Sequence, residues 1–419
     1  MHKLIVSGGR PLEGEVTVSG SKNAALPILA AAIMLPGRSV IRNIPNLSDV
    51  TTIVRVLRAL GLRAEYSQSS PNTVNVWNFQ VRHVAPYELV TKMRASFFVI
   101  GPILAVKGLA KIPLPGGCAI GSRPVDIHIK GLTALGADVE LEHGFVIAKT
   151  KKLRGGKVYL DFPSVGATET VMMAAALAEG DSIIENAARE PEILDLANFL
   201  NRAGAKIEGA GTEVIKVSGV NTLMPVDYKI IPDRIEAGTL LVAGAITGGK
   251  VLVKGAELGH MEATLVKLKE CGAEIECGPD GILVTARRGI NAVDIKTLPY
   301  PGFPTDMQPQ FASLLSLANG TSVITETVFE NRFMHVNELK RMGANIRLEG
   351  QSAIITGVPK LSGAPVRVSD LRAGAALILA GLAAEGETII EDRDHHIRRG
   401  YDKITSKLTG LGAEIKDHQ

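Results

Sequence analysis

LRALG at 57–61, LTALG at 132–136, LNRAG at 200–204, LKECG at 268–272, LKRMG at 339–343 and LTGLG at 408–412 are one motif, met six times in the chain. Each copy closes an amphipathic stretch on glycine, and a β-type run follows about seventy residues after the previous one. Glycine is the residue expected where a helix ends in a left-handed conformation, because it has no Cβ to clash. A second mark keeps step with the first. Ala/Leu-rich stretches close on Gly37, Gly108, Gly180, Gly249, Gly320 and Gly386, and runs such as SVI, SII or TII follow. The period exceeds the roughly 20–50 residues of a thin solenoid, so each copy is a substantial unit. Its order is a small-residue helix, a strand, a loop, an amphipathic helix, the glycine stop and two further strands.

After Gly412 the sixth copy has only one β run. The opening segment His2–Gly9 (HKLIVSGG) resembles the tails of other copies, such as VIKVSG at 214–219, so it is expected to complete the last copy. The chain then starts in one domain, crosses to a second near residue 20 and returns near residue 230. The expected domains are 1–20 plus 231–419, and an inserted domain at 21–230, each with three copies and of ordinary size. The fold class is α/β.

Composition narrows the function. Hydrophobic residues make up 46% and charged residues 21%, which describes a globular chain with ample core. A formal net charge of +3, with Lys and Arg dispersed, provides no nucleic-acid-binding stripe. The apolar runs Leu26–Pro36 and Ala373–Ala384 are too short to span a bilayer, and no membrane partner is expected. Three cysteines make no disulfide framework, and with no signal pattern at the N-terminus the expected location is the cytoplasm.

If six helices start at equivalent points, the residues around those starts are the candidates for chemistry. They include Lys22, Arg94, Ser164, Arg234, Asp306 and Arg372. Free N–H groups and the positive dipole end make a helix start an anion site. A cation there is mildly unfavourable unless a carboxylate or bound anion lies beside it, and Asp370 and Asp233 are candidate internal partners for Arg372 and Arg234. Cys118 sits in the Gly/Pro-rich segment LPGGCAIGSRPVD at 114–126, with Arg123 five residues on, and a nearby cation favours the thiolate. Cys271 and Cys277 flank a helix stop and are expected to be packing residues. His395 and His396 adjoin two arginines without a second ligand group, so no metal site is expected.

Seven motifs stand in a recognisable order: SGSKNAALP at 19–27, PGGCAIGSRPVD at 115–126, PSVGAT at 163–168, GFPTDMQ at 302–308, ETVFENR at 326–332, SDLRAGAA at 369–376 and RGYDK at 399–403. With them the chain resembles, end to end, the enolpyruvyl transferases, and among these the members acting on UDP-N-acetylglucosamine rather than shikimate 3-phosphate. The resemblance implies a two-domain inside-out α/β barrel with three βαβαββ units per domain and a site in the cleft. It implies two small-molecule substrates, phosphoenolpyruvate and UDP-N-acetylglucosamine, and no cofactor or metal. By resemblance Cys118 is the acid, able to form a covalent phosphoenolpyruvate adduct; Asp306 is the base, and Asp370 lies close to the reacting carbons. Lys22, Arg123 and Arg399 are assigned to the phosphate, Arg332 and Arg372 to the carboxylate, and Asn23 to the sugar and the intermediate. The nucleotide sugar is assigned to Arg94, Arg123, Pro124, Val125, Asp126, Ile127, Phe162, Pro163, Ser164, Val165, Asp306 and Val328. Cys118, in place of the aspartate of some members, implies sensitivity to fosfomycin. Arg398 departs from the family, which often has an acidic residue before Arg-Gly-Tyr.

Overall fold

A computed structural model describes residues 2–116, 125–286 and 289–418. The chain divides between Ser19 and Gly20, and again between Ile231 and Pro232, into two compact units, each with its own hydrophobic core.

The outer helices form because their apolar residues recur at helical spacing. In Ser48–Ala59 the buried Val50, Ile53, Val54 and Leu57 make one stripe, while Arg55 and Arg58 face outward. Pro191–Arg202 repeats the pattern with Ile193, Leu196, Ala197 and Leu200. All six stop glycines adopt φ between 84 and 102°, where a Cβ would be strained. The second set of glycines follows this rule at five positions; in the fourth copy Gly248 takes the left-handed turn, and Gly249 packs its bare Cα against the Leu12 backbone.

The inner helices are buried on every side. Every residue of Arg372–Leu382 within the Leu371–Ala383 helix is buried, and Arg234–Ile246 is buried from Ile235 onward. Alanine and glycine allow this close approach: a Cβ at Gly374 would lie 2.6 Å from Ile397 Cγ1. In the unit that contains Pro232, the helices Arg234–Ile246, Gln308–Leu315 and Leu371–Ala383 pack against one another, and three four-stranded sheets surround them.

Each sheet has one plan. A leading strand runs parallel to the strand that follows the inner helix, and two antiparallel strands complete it. In one, Glu13–Thr17 leads Lys250–Lys254; in another, Lys3–Ser7 lies between Glu387–Glu391 and Glu414–His418, with Leu4 opposite both Ile390 and Asp417. The Gly20–Ile231 unit repeats the plan. There the leading strand of the middle sheet is reduced to a single Val84–Lys111 bridge. Strands alternate buried and exposed residues, as in Glu387–Glu391, so one face covers the helices and the other meets solvent. Helices thus lie inside and sheets outside, and among the described residues the sheets stay separate rather than joining into one hydrogen-bonded cylinder.

Candidate active site

In the unit that contains Pro232, three of the candidate residues converge. Asp306 sits in the Thr305–Met307 turn that leads into the Gln308–Leu315 helix, and Arg372 is the second residue of the Leu371–Ala383 helix. Arg332 lies just before the His335–Arg341 helix. Asp306 Oδ1 accepts from Arg332 Nη2 at 2.8 Å, and Oδ2 accepts from Arg372 Nη2 at 2.8 Å. The two arginine side chains are 3% and 1% exposed. Two buried cations therefore share one carboxylate, so the trio carries one net positive charge. Arg332 Nε, Arg372 Nε and Arg372 Nη1 are buried with no acceptor in hydrogen-bond geometry among the described residues, and the Tyr401 hydroxyl lies near Arg372. A buried charged donor left unpaired is costly, so these groups are preorganised for an anion. Burial alone would lower the Arg372 pKa, but Asp306, Tyr401 and Asp233 hold it above its ordinary value.

Asp370 is not the partner of the Arg372 side chain. It is the N-cap: its Oδ1 accepts from the backbone N–H of Arg372 at 2.9 Å and of Ala373 at 3.1 Å. Asp233 does the same for Ile235 and Glu236. Both aspartates satisfy orphan helix donors, so the Arg372 side chain turns to Asp306, and Arg234 lies over the Tyr300 ring at 5.6 Å.

Several residues that sequence reading passed over support this group. His335 is fully buried; burial lowers its pKa to about 4, with Asp370 and the Arg332 backbone opposing the shift and the Arg332 charge adding to it. The Tyr401 hydroxyl bonds Thr239 and Gln310 beneath Arg372, and its ring lies 5.2 Å from the guanidinium carbon. Glu326, 1% exposed, accepts from the backbone N–H of Val328 at 2.8 Å and from Thr305 Oγ at 2.8 Å. Glu326, Thr305 and Tyr401 stand inside the quoted motifs and were legible as candidates; His335 carried no comparable signal. Arg399 is half-buried on the short His396–Gly400 helix, while Arg398 is exposed, with Nη2 3.8 Å from Asp417 Oδ2.

In the Gly20–Ile231 unit, Lys22 opens the Lys22–Ala31 helix behind the Ser21 cap, with Asn23 half-buried beside it. Lys22 is 7% exposed, and its Nζ lies 3.8 Å from Asp49 Oδ2. This is the carboxylate that a cation at a helix start requires, and it comes from the next helix. Ser164 caps the Val165–Ala175 helix, its Oγ accepting from Ala167 N at 3.4 Å, with Phe162 exposed and Pro163 half-buried ahead of it. Val125, Asp126 and Ile127 form the start of the Asp126–Ala134 helix. His128, one residue on, is buried with Nδ1 3.0 Å from Thr170 Oγ, and burial followed by the Arg94 charge lowers its pKa to about 3. Arg94, half-buried, starts the Arg94–Val99 turn.

Cys118, Arg123 and Pro124 lie outside the described residues. Of the other thiols, Cys271 is buried and its pKa is pushed up to about 12 by burial and Glu270. Cys277 is exposed, contrary to the packing role expected, because Glu274–Gly278 is an edge strand with most of its residues in solvent. Among the described residues no helix is long and apolar enough to cross a membrane.

The sequence and the fold have known counterparts. Residues 6–408 match the family model described as EPSP synthase (3-phosphoshikimate 1-carboxyvinyltransferase). The chain belongs to this family of enolpyruvyl transferases. It is 55% identical to UDP-N-acetylglucosamine 1-carboxyvinyltransferase 1 of Caldanaerobacter subterraneus, over 99% of each chain. It is also 55% identical to the UDP-N-acetylglucosamine 1-carboxyvinyltransferase of Geobacter metallireducens, again over 99% of each. The crystal structure of the enolpyruvyl transferase NikO from Streptomyces tendae is similar, with TM-score 0.89, 26% identity and 99% of each chain covered. EPSP synthase from Acinetobacter baumannii shares the fold at TM-score 0.77 and 17% identity, with both chains fully covered.

Proposed function

We propose that this protein transfers the enolpyruvyl group of phosphoenolpyruvate to the 3′-hydroxyl of UDP-N-acetylglucosamine and releases phosphate. The observation that carries the reading is the pair of buried arginines, which share Asp306 yet keep three nitrogens without an acceptor among the described residues. They suit a small carboxylate. Relatives 55% identical over the whole chain are named for this acceptor.

The sugar oxygen attacks C2 while C3 gains a proton, so one O–C bond forms and the C2–C3 double bond becomes single. Elimination then breaks the C2–O bond to phosphate, and a proton leaves C3 to restore the double bond. Cys118 supplies the proton to carbon, and Asp306 takes the hydroxyl proton. In the unliganded site both Asp306 oxygens are held by arginines, so its action as a base requires one of them to turn toward the incoming carboxylate. Arg332 and Arg372 hold that carboxylate; Lys22, Arg123 and Arg399 hold the phosphate; Asn23 and Asp370 border the intermediate. Arg94, Arg123–Ile127, Phe162–Val165 and Val328 receive the nucleotide sugar. The place of the reaction is the cytoplasm, in the first committed step of peptidoglycan synthesis, with fosfomycin alkylating Cys118.

The test is phosphate release from phosphoenolpyruvate with UDP-N-acetylglucosamine, with shikimate 3-phosphate, and with neither. Release with the nucleotide sugar alone is expected. Release with shikimate 3-phosphate instead would replace this reading by the other acceptor of the family.

A further inference from the structure

Glu326 is buried, and four donors converge on it. Oε1 accepts from Thr297 Oγ at 2.7 Å, Val328 N at 2.8 Å and Phe329 N at 3.2 Å; Oε2 accepts from Thr305 Oγ at 2.8 Å. Thr305 Oγ in turn accepts from Arg332 Nη1 at 3.2 Å, and Arg332 Nη2 holds Asp306, the residue after Thr305. The Thr305 hydroxyl has one proton, and Glu326 as a carboxylate can only accept. The direction is therefore fixed: Arg332 donates to Thr305, and Thr305 donates to Glu326.

From this chain of bonds we infer that Glu326 and Thr305 are positioning residues, which fix the Arg332 guanidinium for the substrate carboxylate and tie it to the Val328 backbone. The inference rests on the functional reading above and deepens it. Arg332 has five N–H groups; Asp306 and Thr305 occupy one on each terminal nitrogen, which sets the plane of the fork and leaves Nε without an acceptor among the described residues. The same carboxylate that anchors Thr305 also takes the amides of Val328 and Phe329. The segment assigned to the nucleotide sugar and the arginine assigned to phosphoenolpyruvate thus share one anchor.

Thr305→Val keeps the shape and removes the hydroxyl, while Thr305→Ser restores it. Glu326→Gln keeps an oxygen for the amides but places an N–H where Thr305 must donate, which breaks the direction of the chain. For Thr305→Val the KM for phosphoenolpyruvate should rise about tenfold, the loss of one hydrogen bond to a charged group. The KM for UDP-N-acetylglucosamine should stay within about twofold, and Thr305→Ser should recover the phosphoenolpyruvate KM. Glu326→Gln should show the same defect, and the double variant with Thr305→Val little more, because both break one chain. Additive losses, an equal rise in both KM values, or an unaffected Thr305→Val in an active protein would overturn the inference alone. Absence of turnover in the unmodified protein would overturn the functional reading and this inference with it.

Discussion

Replacing Arg372 by methionine separates what the buried cation does for the fold from what it does for the substrate. The side chain is 1% exposed, gives Nη2 to Asp306 and leaves Nε and Nη1 without acceptors. In the free protein its removal takes away a desolvated charge with unpaired donors. Asp306 keeps Arg332 at 2.8 Å and is itself 26% exposed, so no carboxylate is stranded. Replacing a whole buried ion pair by apolar groups of similar volume is often neutral or stabilising by about 1–4 kcal/mol. Stranding one partner costs about 3–5 kcal/mol, and here Asp306 keeps its other arginine. The variant should therefore melt at or above the temperature of the unmodified protein. Catalysis should behave oppositely. Losing one partner of a buried charge pair costs about 2–5 kcal/mol, or roughly 30- to 5,000-fold at 1.36 kcal/mol per decade. That loss should appear in kcat/KM for phosphoenolpyruvate, read by steady-state phosphate release, with melting followed by calorimetry. A kcat/KM within about threefold of the unmodified value would refute the role of Arg372 as a carboxylate ligand. A lost activity accompanied by a large drop in melting temperature would show that the charge serves the fold.

Glu169 is 1% exposed with Oε2 unpartnered, and burial, then Glu192 and Glu190, raises its pKa well above the ordinary value. Its contribution is complete below the unfolded pKa of about 4.3 and is lost as pH rises toward the folded value. Glu169→Gln should therefore gain stability relative to the parent between about pH 5 and about pH 8, and a difference that is flat across that range in thermal melts would refute it. Alkylation followed by mass spectrometry should modify Cys118 first, Cys277 next and Cys271 last; labelling of Cys277 ahead of Cys118 would remove the case for an activated thiol. Cys118→Ser should lose most turnover, whereas Cys118→Asp should keep it and escape fosfomycin, and fosfomycin inactivation of the Asp variant would refute the proposed target. Lys22→Ala and Arg399→Ala should each weaken phosphoenolpyruvate turnover more than Arg234→Ala, whose guanidinium lies over Tyr300; equal losses at all three positions would mean that a helix-start cation does not mark the site.

The sequence by itself determined the repeat, the helix stops and the small-residue helices. These are local matters: a left-handed φ at Gly61 or Gly343 and a stripe such as Val50, Ile53, Val54 and Leu57 depend on neighbours a few residues away. It also pointed to the helix starts where Lys22 and Arg372 stand, because dipole and charge oppose each other there. Only the tertiary structure decided which carboxylate answers which cation. Asp370, two residues from Arg372, is taken by the helix N–H groups, and Asp306, 66 positions away in sequence, receives the side chain instead. Asp49 reaches Lys22 from another helix, and Glu326 gathers Thr297, Thr305 and the Val328 amide from separate loops. Cys277 flanks a helix stop in sequence yet faces solvent, because its strand lies at a sheet edge. Backbone conformation is governed by near neighbours, whereas ion pairs and buried hydrogen bonds are governed by what packing brings within about 3 Å, and chain order does not encode that distance.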